Sequence, residues 1–131
     1  MSIGIAYAAQ SGQSYNVVLK NFVNPEIPRT RDGSASYELS LGGATLVAGP
    51  AFAQKYNWNI EVSLSKAEAI ELEGMHSAWD ADRAAGYPAA VGITDETFGA
   101  TVSSSAVFTS APVFSYYNEQ YMVVVISLSE V

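Results

Sequence analysis

One histidine, two acidic pairs, a serine triplet, two tryptophans and a group of tyrosines are the residues of this 131-residue chain that invite a chemical reading. His76 has no second His and no Cys with which to bind a metal. Catalysis by it would need a nucleophile and an orienting acid, for which Asp80 or Asp82 would have to serve. The local pattern places His76 at the polar edge of a helix, so a solvated side chain is expected. Asp80-Ala81-Asp82 and Asp95-Glu96 lack the spacing of oxygen ligands and the turn glycine of a calcium loop, and are expected as a solvated helix end and a solvated loop. Ser103-Ser104-Ser105 is not a Gly-x-Ser-x-Gly elbow, and the glycines have no phosphate-loop spacing. Trp58 and Trp79 would make a sugar-stacking platform if exposed, but Trp58 is in register with the apolar side of its segment, which favours the core. No catalytic residue, metal ligand or cofactor is expected, and the chain does not read as an enzyme.

The element that must position most of these residues is the run 55–83. Tyr56, Trp58, Ile60, Val62 and Leu64 alternate with Lys55, Asn57, Asn59, Glu61 and Ser63. Successive side chains of a strand point to opposite faces, so this is a strand with one buried and one wet side. Ser65 ends the alternation and Glu68 follows three residues later, the spacing of a capping box. A helix to about Asp82 is expected, because the run is rich in Ala, Glu and Leu and has no Pro. Its apolar arc reads Ala67, Leu72, Met75, Ala78 and Trp79, interrupted by Glu71, which predicts a narrow stripe on a sheet. Gly86-Tyr87-Pro88 should stop it.

Around this centre the pattern is mostly β. Residues 3–8 and 15–19 read as strands about the turn-rich Gln10-Ser11-Gly12-Gln13-Ser14. Asn24-Pro25-Glu26-Ile27-Pro28 is a loop, because two prolines remove ladder donors, and it continues through Arg29 to Gly33, with Asp32-Gly33 as a turn. Tyr37-Glu38-Leu39-Ser40-Leu41 and Ala44-Thr45-Leu46-Val47 predict a hairpin about Gly42-Gly43. Gly49-Pro50 then breaks the chain before the central strand, which is expected to begin near Phe52 or Gln54. Residues 89–100 carry no clear pattern. Ala106-Val107-Phe108-Thr109 and Val113-Phe114-Ser115-Tyr116 read as strands, and a turn at Asn118-Glu119-Gln120 leads into a last strand from Tyr121 to Val131. In that strand Met122, Val124, Ile126 and Leu128 make one face, while Val123 and Val125 make the other apolar as well. Such a strand is central, covered by the helix, or pressed against another subunit. The fold class expected is mainly β (α+β), an antiparallel sandwich or half-barrel with one helix packed on it, in a single domain covering 1–131.

Composition restricts the function. The chain is 49% hydrophobic, enough for a core, yet only 15% charged against the usual ~25%. With eight Tyr and few charges, a surface largely covered by neighbours is expected. A net charge of −7 argues against binding nucleic acid, which requires Lys and Arg to displace counterions, although an acidic surface can keep DNA from adhering. The only neighbouring bases are Arg29 and Arg31. The absence of Cys removes disulfides and thiolate sites. The amino terminus does not read as a signal peptide, and no apolar run approaches the ~20 residues of a membrane helix.

An aromatic-alternating strand running straight into a Ser-capped helix, followed by a closing strand ending Ser-Leu-Ser-Glu-Val, resembles the small minor tail proteins of long-tailed bacteriophages, the group that includes minor tail protein M of lambda-like phages. More loosely it is similar to the tail-tube and distal-tail fold. Tyr56 to Leu64 matches the family's strand, Ser65 to Trp79 its helix and Tyr121 to Val131 its carboxy-terminal strand. Asp32-Gly33 followed by Tyr37 stands where the family commonly has a Gly-Asp-Gly-Tyr turn, without its first Gly or the usual Phe. The likeness spans about two-thirds of the chain as pattern and leaves the first 30 residues aside.

The resemblance implies a non-enzymatic virion protein of the tail tube, tail tip or baseplate, assembled in the host cytoplasm. It would form a trimeric or hexameric ring with copies of itself, dock on other tail proteins, and pass DNA through its lumen without holding it; no membrane is involved. Candidate subunit-interface residues are Tyr116, Tyr117, Tyr121, Val123 and Val125. The alternative is a β-sandwich receptor- or sugar-binding module, in which Tyr116, Tyr117 and Tyr121 line a concave site.

Overall fold

The computed structural model describes residues 2–23, 28–31, 36–39, 45–48 and 55–131. The strand read as central is β7 (Tyr56–Ser65), with Trp58, Ile60, Val62 and Leu64 buried and Asn59 exposed. It pairs antiparallel with the strand Tyr121–Glu130 from Ser65↔Tyr121 to Asn57↔Ser129. Directly opposed residues share a face, so Val124, Ile126 and Leu128 enter the core beside Val62, Ile60 and Trp58. Val123 and Val125 lie half-buried on the other face.

In chain order the remaining strands are β1 (Ile3–Ala8), β2 (Ser14–Leu19), β3 (Asn21–Phe22), β4 (Arg29–Arg31), β5 (Ser36–Leu39), β6 (Thr45–Ala48), β8 (Val91–Asp95), β9 (Val102–Phe108) and β10 (Val113–Tyr116), with Tyr121–Glu130 as β11. The main sheet runs β2-β1-β8-β9-β11-β7-β3, with β10 also on β11 and β4 also on β7. Its pairings are all antiparallel. β2 and β3 stand at opposite ends of that order, yet Lys20 alone separates them in the chain. The sheet therefore curls until one bent segment serves both ends, a half-barrel.

The stretch 89–100, unpatterned in sequence, contains β8, whose Val91, Ile93 and Asp95 point inward. β9 is longer than the expected Ala106-to-Thr109 run and takes in the serine triplet. β5 and β6 form a separate two-stranded antiparallel sheet, pairing the two runs as expected, but in the register Leu39↔Thr45, one residue off the Leu39–Leu46 pairing that a two-residue Gly42-Gly43 turn requires. The loop at Asn24 to Ile27, the turns at Asp32-Gly33 and Gly42-Gly43, and Gly49-Pro50 with Phe52 and Gln54 fall outside the described residues. Arg29–Arg31, expected to continue the loop, is instead strand β4, held by its pairing with β7, and β7 begins at Tyr56 after Lys55, later than expected.

Helix α1 (Lys66–Ala84) starts where the spacing predicts. The Ser65 hydroxyl accepts from the Glu68 backbone N–H at 3.3 Å and donates to the Glu68 carboxylate at 2.9 Å. The carboxylate thus returns to the hydroxyl. The buried stripe is Ala69, Leu72, Met75 and Trp79; Ala69 takes the place expected for Ala67, which is exposed. Burying the Leu72 and Met75 side chains contributes about 1.5–3 kcal/mol each. The end is a Schellman arrangement, with Tyr87 N–H donating to the Asp82 carbonyl and Gly86 N–H to that of Arg83. Gly86 sits at φ 91°, which a side chain would resist.

Glu71, which interrupts the apolar arc, has a partner across the helix–sheet seam. Its carboxylate accepts from the Asn16 backbone N–H at 3.2 Å, on the edge of the sheet made by β2. An open edge is a template for foreign strands, and the helix occupies this one. No described helix is long and apolar enough to cross a membrane.

Candidate functional site

The residues singled out for catalysis are dispersed into structural roles. His76 is not the solvated side chain expected. Its half-buried ring stands edge-on to Phe108 at 5.0 Å between centroids and 5.8 Å from Trp79, which itself meets Phe108 at 5.2 Å. Phe108, the last residue of β9, completes this aromatic cluster, and nothing local to the helix announces it. Asp80 is bound by Arg83 at 2.6 Å, whose hydrogen bond holds the carboxyl below its ordinary range. Asp82 accepts a short hydrogen bond from the Tyr7 hydroxyl and another from the Gln10 backbone N–H at 3.1 Å. Burial, then the hydrogen bond and charge of Asp82, push the Tyr7 phenol up to about 12. Among the described residues, His76 makes no hydrogen bond to either acid.

Of the serine triplet, Ser103 and Ser105 are exposed, while Ser104 donates to the Glu130 carboxylate at 2.5 Å. Both tryptophans are buried, Trp58 at 1% exposure and Trp79 at 5%, which removes them as a sugar platform. No three described acidic or histidine side chains converge to hold a metal ion.

Asp95 corrects the sequence reading most. It is fully buried and forms the centre of a polar cluster that connects three strands. Its Oδ2 accepts from Trp58 Nε1 at 2.9 Å and stands 3.4 Å from Arg29 Nη1, while Oδ1 accepts from the Thr97 backbone N–H at 2.8 Å and from the Thr97 hydroxyl. Arg29 lies between the rings of Phe98 (4.3 Å) and Tyr56 (5.1 Å) and donates to the Phe98 carbonyl at 3.3 Å. The alternation of Val91, Ile93 and Asp95 is the one signal that could have placed this carboxylate inward.

What remains as a site is a surface. On the outer side of the sheet, Val125 stands opposite Val113 of β10 and Glu61 of β7, and Val123 opposite Ser115 and Ser63. Val113 is 58% exposed. The β10–β11 hairpin ends in Tyr116, Tyr117 and Tyr121, which are 74%, 67% and 41% exposed. Its tip is fixed by the Asn118 side-chain oxygen, which accepts from the backbone N–H groups of Gln120 (2.8 Å) and Tyr121 (2.9 Å). Beside the tip is an open groove of about 570 Å³ lined by Lys20, Phe22, Val23, Ser63, Tyr117 and Val123. The five candidate interface residues thus occupy one hairpin and the adjoining sheet face, with Tyr117 and Val123 in the groove. The sequence did not place Lys20, Phe22 and Val23 beside them, because β3 reaches this surface only by pairing with β7.

This arrangement offers hydrophobic and aromatic contact on a preformed backbone. Among the described residues it brings no nucleophile beside a base. No protein-family model and no curated protein matches the chain.

Proposed function

We propose that the protein is a non-enzymatic structural subunit of a bacteriophage tail, in the tube, tip or baseplate, which assembles with its own copies into a ring around the DNA channel. The observation that carries this reading is the exposure of Val113, Tyr116, Tyr117 and Tyr121 beside the half-buried Val123 and Val125 on β10 and β11, in a chain with few charges. Large aromatic side chains on a fixed hairpin supply contact area at small entropic cost. Five carboxylates on α1 and the net charge of −7 support a subunit that lets DNA pass without adhering. The half-barrel with a single helix is compatible with the tail-tube-like class.

Negative-stain electron microscopy with a solution mass tests it. Rings or stacked tubes with a central hole are expected. A species that stays monomeric at high concentration and forms no ring with tail proteins would defeat the proposal.

A second reading, a receptor- or sugar-binding module, is favoured by one feature, the groove beside Tyr117. On that reading Tyr116→Ala with Tyr117→Ala abolishes ligand binding in a glycan screen and leaves the solution mass unchanged. On the assembly reading the same pair lowers the mass.

A further inference from the structure

Among the described residues the ion pairs are Arg29–Asp95 and Arg83–Asp80. Lys20 and Glu119 belong to neither, and both are exposed. Lys20 is the cation of the groove, beside Phe22, Val23 and Val123. Glu119 is the anion of the hairpin tip, between Asn118 and Gln120 and next to the exposed Tyr116 and Tyr117. The groove is thus an apolar hollow with a positive lip, and the tip that adjoins it through Tyr117 is an aromatic knob with a negative point.

We infer that the β10–β11 tip of one copy seats in the groove of a neighbouring copy, with Tyr116 against the apolar wall at Phe22 and Val23 and Glu119 paired with Lys20. This rests on the assembly reading and names the segment and the pocket that would make the contact. Charge is what selects a second copy as the occupant. A chain of net −7 repels itself over most of its surface, and this match of opposite charges opens a favourable approach. The tip enters already ordered, since the Asn118 side chain holds two backbone N–H groups of the turn. The hollow, at about 570 Å³, is within the range of about 300–1,000 Å³ of sites that enclose small organic groups, and it admits an aromatic side chain. Tyr117 belongs to the tip and also lines the hollow, so knob and hollow adjoin on one surface, and each tip can enter the groove of a neighbouring copy there.

The test is made on the full chain. Sedimentation of the wild type establishes whether copies associate. Glu119→Lys or Lys20→Glu alone is expected to weaken association about fivefold, as opposite surface charges become like ones. The double variant should restore it. The chain has no Cys, so two single variants, Glu119→Cys and Lys20→Cys, can be mixed under mild oxidation. A mixed disulfide dimer, formed faster than either homodimer, is the expected product. If the wild type associates but neither reversal weakens it and no mixed dimer forms, the hairpin seat is wrong while the assembly reading stands. A wild type that remains monomeric overturns the hairpin seat, and the assembly reading falls with it only if no ring forms with tail proteins either.

Discussion

Trp58 and Asp95, 37 residues apart, are joined in the interior by a hydrogen bond of 2.9 Å from the indole Nε1 to Oδ2. The same oxygen faces Arg29 Nη1 at 3.4 Å, so one carboxylate serves the strand that organises the sheet, the edge strand beside it and its own strand β8. Burying a charge is costly unless it is paired, and removing one partner leaves the other stranded. Asp95→Ala is expected to destabilise the fold by about 3–5 kcal/mol, because Arg29 keeps its charge in a site with 5% exposure. Asp95→Asn, which still offers Trp58 an acceptor, should cost less. Urea denaturation of the two variants checks the order.

Tyr7 and Asp82 make stability depend on alkaline pH. The folded-state phenol is raised from 10.0 to about 12, so its contribution is complete below pH 10 and is lost as the pH rises from there through about 12. Tyr7→Phe should flatten this loss in a series of thermal melts, and should lower stability at neutral pH by about 1.5–3 kcal/mol, the worth of a hydrogen bond to a charged group.

The capping of α1 gives a local test. Ser65→Ala removes the acceptor for the Glu68 N–H and the donor to its carboxylate. A loss of about 0.5–2 kcal/mol is expected in chemical denaturation, and Ser65→Asp should recover most of it.

Glu71 guards the edge at β2. Glu71→Ala should leave the Asn16 amide to water, so hydrogen exchange at that amide accelerates while the global unfolding energy changes by about 1 kcal/mol or less. An unchanged exchange rate would show that the carboxylate does not protect the edge.

The two faces of β11 separate folding from assembly. Val125→Asp places a charge on the outer, half-buried face and is expected to lower self-association with a modest effect on melting. Val124→Asp, one residue earlier, places it in a site with 0% exposure and should prevent stable folding. Circular dichroism melts alongside sedimentation distinguish these outcomes.

Much of the architecture is written in short-range pattern. The alternation in 56–64, the Ser65–Glu68 spacing, the stop at Gly86 and the hairpin about Asn118 each depend on neighbours within four residues, and each element is formed where the sequence predicts it. Strand and helix periods are local properties of the backbone, so a sequence carries them directly. The mainly β class with one helix follows from the same patterns.

The tertiary structure alone decided what those elements meet. The two apolar faces of β11 are equivalent in sequence, and only the pairing of Val124 with Val62 selects the inner one. Asp95 reads as a loop acid until Arg29 and Trp58 are brought to it from remote strands. His76 reads as solvated until Phe108 arrives from β9. Lys20 and Tyr117 share a groove because β3 returns to β7 after the sheet has curled. These contacts depend on register and curvature, which are properties of the whole sheet, and no window of the chain contains them.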